Sequence, residues 1–254
     1  MSAPRCKAGV GRGTCQVAII FTTGGTAAAL AAKSATATIP IVFYMGGDPV
    51  SQGLVASLNR PGSNLTGLGW LGFDLGAKRL ELLHELLPEN LALGILVNPN
   101  NPDSDFEVRD IQDAARILKQ QVHIFTARSD ADFDGVFETL VKQQIGALIV
   151  ASDAFFSGKR GRIVALAARR GVPAIYERRD FADAGGLISY GHDRADAYRQ
   201  LGIYVGRILN GEKPADLPVL QPTKFELVIN LNVAKALRID VPAKLLALAN
   251  EVIE

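Results

Sequence analysis

Short apolar runs recur along the chain, and each stops at glycine or polar residues: VAIIFTTGGT from Val17, IVFYMGGDP from Ile41, LALGILVNPNN from Leu91, GALIVASDAFF from Gly146 and PAIYERRD from Pro173. Runs of this kind suit strands buried on both faces of a parallel sheet. Most are followed by apolar residues at helical spacing. The alternation therefore predicts an α/β protein in which parallel sheets are covered by helices on both faces. The strand ends of an open parallel sheet share one edge, where ligands bind.

Taken in order, the pattern predicts strands at Val17 to Phe21, from Ile41, and at Leu65 to Trp70, with an alanine-rich helix at Ala27 to Ser34. Asp48-Pro49 reads as a helix start, with Pro49 in the first helical position and Asp48 capping the free amides. Leu75 to Leu87 has helical spacing and stops before Pro88. A second series follows. It has strands at Leu93 to Val97, Val122 to Thr126, Ala147 to Val150, Val172 to Tyr176 and Gly186 to Tyr190, with helices at Ser104 to Lys119, Asp130 to Gln144 and Arg160 to Arg170. The tail predicts a helix at Asp193 to Asn210, an extended connector at Pro214 to Pro222, a strand at Phe225 to Asn230, and short helices at Val233 to Leu237 and Pro242 to Ala249. Residues 1–15 are rich in Gly, Arg and Lys, lack periodicity, and read as disordered or foreign to the fold.

Composition narrows the function. The 254 residues are 48% hydrophobic and 21% charged, enough for one large core or two modest ones, and the net charge of +1 supplies no field to recruit nucleic acid or an anionic membrane. Cys6 and Cys15 lack metal-ligand spacing and read as two free thiols, with a disulfide between them the less favoured alternative. No apolar stretch approaches the ~20 residues of a membrane span, and the N-terminus has no secretory pattern, so the chain as written reads as cytoplasmic. There is no G-x-S-x-G elbow, H-E-x-x-H motif or dinucleotide fingerprint, and neither a cofactor nor a metal is expected.

The segments TTGGTAAALAAKSATATIPIVFYMGGDPVSQGLVASLNRPGSNLTG, ELLHELLP, LVNPNNPDS, GGLISYG and GRILNGEKPADLPVLQPTKFELVINLNVAKAL occur in one order. In them the chain resembles the substrate-binding proteins of ABC transporters whose characterised relatives bind aromatic amino acids, from about Gln16 to Glu254. The resemblance implies a two-lobed type I periplasmic binding protein fold, with three crossings and a ligand enclosed between the lobes. It implies a first lobe of residues 16–91 plus 192–254, a second of residues 92–191, a periplasmic location, and an ABC permease as partner. Family members carry a signal peptide and a strand, helix, strand and helix before the TGGT segment, so the first lobe is expected to be incomplete at its N-terminus. A truncated gene, a misassigned start or a frameshift would each give that pattern, as would a functional short form.

The candidate ligand-binding residues lie at the strand ends. Thr23, Gly24, Gly25 and Thr26 precede a helix whose free amides and dipole favour a carboxylate, although an ordinary strand-to-helix turn explains them as well. Asp48 can pair with a ligand ammonium or simply cap its helix. Asn98, Asn100 and Ser104 offer polar contacts from the other lobe, or form a turn. Asp153 beside Phe155 suits a cationic amine on an apolar group, and equally a helix cap. Tyr176, Glu177 and Tyr190 can add stacking and hydrogen bonds, or be structural. The leading expectation is a binding protein for an amino acid or small carboxylate, not an enzyme. The alternatives are a small α/β enzyme with Asp48 or Asp153 as base, and a nonfunctional truncated family member.

Overall fold

The structure is a computed structural model describing residues 17–70, 73–88 and 91–254. Residues 1–15, with both cysteines, lie outside the described residues. The first sheet has strands β1 (Ile20–Thr22), β2 (Ile41–Gly46) and β3 (Leu65–Trp70) side by side, all parallel, with helix α1 (Gly25–Ala35) between β1 and β2. Residues of β2 alternate between two cores. Ile41, Phe43 and Met45 pack with Ala29 of α1, while Val42 and Tyr44 pack with Leu201 and Tyr204 of a helix from far down the chain, α8 (Arg194–Leu209). Among the described residues β1 pairs only with β2, and Phe21 on it is 44% exposed.

The second sheet has seven strands in the order β10-β9-β8-β7-β6-β4-β5, namely β4 (Leu93–Val97), β5 (Val122–Thr126), β6 (Ala147–Val150), β7 (Ala174–Tyr176), β8 (Ile188–His192), β9 (Phe225–Asn230) and β10 (Glu251–Ile253). All its pairings are parallel except β8 with β9. Leu93, Ile95 and Val97 face helices α2 (Phe73–Leu86) and α3 (Ser104–Ile117). Leu96 faces the side covered by α4 (Asp132–Lys142) and α6 (Arg160–Arg170). Helices α5 (Ala154–Gly158), α7 (Arg179–Asp183), α9 (Leu231–Ala236) and α10 (Ala243–Leu248) complete the chain.

Among the described residues the chain passes between the sheets at three places: after Trp70, at His192 to Arg194, and from Leu220 to Phe225. The last crossing is anchored where Leu220 exchanges backbone hydrogen bonds with Gly67 and Gly69 of β3. Two expectations need correction here. The boundary expected at residue 91 falls near 70, because Leu80 and Leu83 of α2 share the core of Ile95 and Ile111. The tail expected in the first lobe is divided: α8 and Leu217 serve the first sheet, whereas β9 and β10 extend the second. An apolar stripe marks which face is buried but not which sheet buries it.

No helix forms after Asp48-Pro49. A single turn closes as Leu54 N–H bonds the Pro49 carbonyl at 2.8 Å, and Gly53, at φ +66°, breaks it. Among the described residues no helix is long and apolar enough to cross a membrane.

Candidate functional site

The carboxyl ends of the two sheets face each other across a cavity of about 250 Å³. The first lobe contributes Thr23 to Ala27, Tyr44, Gly46 and Gly47. The second contributes Asn98, Asn100 to Asp103, Glu107, Ser152 to Phe155, Ser157, Glu177 and Arg178, with His192 at a crossing. The amides opening α1 receive no side-chain cap, since Gly24 holds the capping position. That leaves donors and the positive end of the helix dipole turned to the cavity.

Opposite them, Asp153 accepts from the Phe156 amide at 2.9 Å and from Asn98 Nδ2 at 3.2 Å. Burial nonetheless pushes its carboxyl above the ordinary carboxylate range, with these bonds opposing. The loops after β4 and β6 are tied together by Asn101 Nδ2 donating to the Ser152 carbonyl at 2.9 Å. Beneath them the fully buried Arg79 of α2 pairs with Glu107, whose other oxygen accepts the Ser152 amide at 2.8 Å. Glu177 accepts the Ser157 hydroxyl at 3.0 Å, and Arg178 is paired with Asp180 at 2.6 Å. Glu107 is answered by Arg79, and Asp180 is shared by Arg178 and Arg194, which leaves Asp103, Asp153 and Glu177 as the cavity carboxyls without an ion pair among the described residues. Phe155 gives an apolar wall, stacked on Phe133 with centroids 5.5 Å apart.

Interactions at both ends of the cavity join the lobes. Tyr44 of β2 hydrogen-bonds His192 Nε2. Burial, with the charges of Arg178 and Arg194 beside it, lowers His192 to about 4, and burial raises the Tyr44 phenol, so the phenol donates to a neutral imidazole. At the other end Thr26 Oγ1 lies 2.6 Å from Asp103 Oδ2, and Gln52 Nε2 reaches Oδ1 at 3.5 Å.

Of the residues expected at the site, Thr23, Gly24, Gly25, Thr26, Asn98, Asn100, Asp153, Phe155 and Glu177 line this one cavity. Four do not. Asp48 turns onto the amides of Val50 and Ser51 in its own loop. Ser104 is buried below, donating to the Asn98 carbonyl. Tyr176 stacks on Phe181 in the core at 4.7 Å, and Tyr190 lies beside Phe225 while its carbonyl accepts from Arg79. Sequence reasoning missed Tyr44, Asp103, Glu107, Arg178 and His192. Tyr44 and His192 sit at the carboxyl ends of strands, a position that would have pointed to them. Asp103 and Glu107 reach the cavity only through the packing of α3.

Residues 16–253 match the family described as ABC transporter substrate binding protein. A tyrosine-binding protein of Clostridioides difficile (strain R20291) is 30% identical over 217 residues, 84% of this chain and 61% of that protein, so the chain spans about three fifths of that relative's length. Among solved structures, the ABC domain in complex with L-Trp from Streptococcus pneumonia matches with a TM-score of 0.81 at 26% identity, over 92% of this chain and 80% of that one. The ligand-free, open structure of a substrate binding protein from Clostridium difficile matches with a TM-score of 0.64 at the same 26% identity, over 93% and 78%.

Proposed function

Since the chain belongs to the family of ABC transporter substrate binding proteins, we propose that it closes its two lobes on one amino acid, with an aromatic side chain, and presents it to a membrane permease. One observation carries this reading: an uncapped helix N-terminus in one lobe and Asp153 in the other open into the same cavity. The ligand carboxylate takes the α1 amides with the Thr23 hydroxyl. The ammonium takes Asp153 with Asn98. The side chain lies against Phe155 and Tyr44. A cavity of about 250 Å³ is below the ~300–1,000 Å³ of pockets for larger ligands, which suits a single amino acid over a peptide.

Because the ligand touches both lobes, it stabilises the closed arrangement, and permease contact reopens it. The relatives with tyrosine and L-Trp in their descriptions support the aromatic class. The proposed working place is outside the cytoplasmic membrane, facing the permease. The enzyme alternative loses one of its two candidate bases, since Asp48 is turned onto its own loop.

Isothermal titration calorimetry against the amino acids and small carboxylates tests this reading. Saturable heat is expected with tyrosine, tryptophan or phenylalanine and little with acidic or aliphatic ones. The absence of heat with every amino acid overturns it.

A further inference from the structure

Hydrogen counting at the contact between the lobes identifies a proton that the sequence did not suggest. Thr26 Oγ1 lies 2.9 Å from the Gly46 carbonyl oxygen and 2.6 Å from Asp103 Oδ2. A hydroxyl has one hydrogen, and the carbonyl can only accept. If Asp103 were ionised, Thr26 would serve one of these oxygens and leave the other facing it with no hydrogen between them. Both contacts are satisfied at once when Asp103 is the acid, donating to Thr26 Oγ1 while Thr26 donates to Gly46. The 2.6 Å separation lies within the range of an O–H···O hydrogen bond, whichever oxygen carries the hydrogen.

We infer that Asp103 takes up a proton from solvent when the lobes close, so that closure is tighter at lower pH. The step is Asp103 carboxylate plus one proton giving the carboxylic acid, with no other group changed. The environment agrees. Thr26 opens α1, Gly47 and Gln52 belong to the loop after β2, and Asn101 and Asp103 open α3; none of these neighbours brings a cation to the carboxyl. Asp48 in the loop after β2 is held by its own amides, and Glu107 on α3 is paired with Arg79. Burial is what acts on Asp103, raising it from its ordinary 3.8 against the Thr26 bond. Gly47 lets this contact form, since a Cβ there would lie 2.4 Å from Asp103 Oδ1.

The sign follows from the acid being easier to protonate when closed than when open. Closure is strongest at and below the ordinary carboxylate value. It weakens as pH rises toward the raised closed-state value and levels off above it. The effect on solute affinity rests on the proposed binding function; the proton itself requires only closure. Asp153, if it meets a ligand ammonium, is ionised in the complex and shifts the proton count the other way, so the decisive quantity is a difference between variants.

Asp103→Asn places an amide donor where the acid hydrogen would be. Calorimetric titration with tyrosine in buffers of different protonation heat should show the wild type taking up more protons per binding event than Asp103→Asn. Its Kd should weaken by up to about tenfold per pH unit relative to the variant as pH rises through the window. Thr26→Ser should keep the wild-type count and Thr26→Val lose it. Equal counts in wild type and Asp103→Asn overturn the inference. If no amino acid gives heat with any of these proteins, the binding function fails instead, and small-angle scattering of the ligand-free protein decides the proton. A radius of gyration that grows with pH in wild type more than in Asp103→Asn supports it, and identical pH responses overturn it.

Discussion

Gly191 and Glu177 approach so closely that a Cβ on Gly191 would sit 1.8 Å from the Glu177 carbonyl oxygen. The contact joins the ends of β7 and β8, where Glu177 and His192 line the cavity. Gly191→Ala must therefore displace the cavity wall. A loss of about 1–3 kcal/mol or more is expected in urea denaturation, with weakened amino acid binding. Gly161→Ala on α6 is the control, since nothing lies within 4 Å of its added Cβ. It should stabilise by up to about 1 kcal/mol and leave binding unchanged.

Asp153 has two tasks that substitution separates. Asp153→Asn keeps an oxygen for the Phe156 amide, so stability should change by less than about 1 kcal/mol. It removes the charge facing the ligand ammonium, and affinity should fall by roughly 10- to 100-fold, as for loss of a charge-assisted hydrogen bond. Asp153→Ala should lose the affinity and also about 1 kcal/mol of stability from the cap. Calorimetry and urea midpoints on the same preparations distinguish the two effects.

Removing Glu107 should be costly. Glu107→Ala leaves the buried Arg79 guanidinium without its carboxylate and the Ser152 amide without an acceptor. A destabilisation of about 3–5 kcal/mol is expected. The double replacement Arg79→Met with Glu107→Leu should recover much of it, because the uncompensated charge goes too. Chemical denaturation of the three proteins gives the comparison.

Acid should weaken the fold through His192. Its imidazole is held neutral to about 4 in the folded chain, against 6.5 in its absence. The unfolded chain therefore binds more protons between those values, and stability falls as pH drops from about 6.5 to about 4. The loss is of order 3 kcal/mol over that window. His192→Gln should flatten this part of the curve of urea midpoint against pH.

The strands were legible because buried parallel strands have a local signature: Leu65 to Trp70, Leu93 to Val97 and Ala147 to Val150 are predicted with the bounds observed. The strand-end residues Thr26, Asn98 and Asp153 were legible for the same reason. The pairing of strands was not, since FELVIN carries no mark of the antiparallel partner β8 that it meets. Strand β10 escaped notice because three residues set no periodicity. Asp48-Pro49 had every local sign of a helix start, and Gly53 ended the turn before a helix could propagate. Asp103 was hidden because its partners, Thr26 and Gln52, belong to the other lobe.

The larger core joins Leu80 of α2 to Leu245 of α10, with Lys244 also paired to Glu85 at 2.9 Å. During synthesis Leu245 can join that core only once residue 245 has left the ribosome, so the core is completed late. The wiring that lets two lobes share one chain thus also sets when that core can be finished.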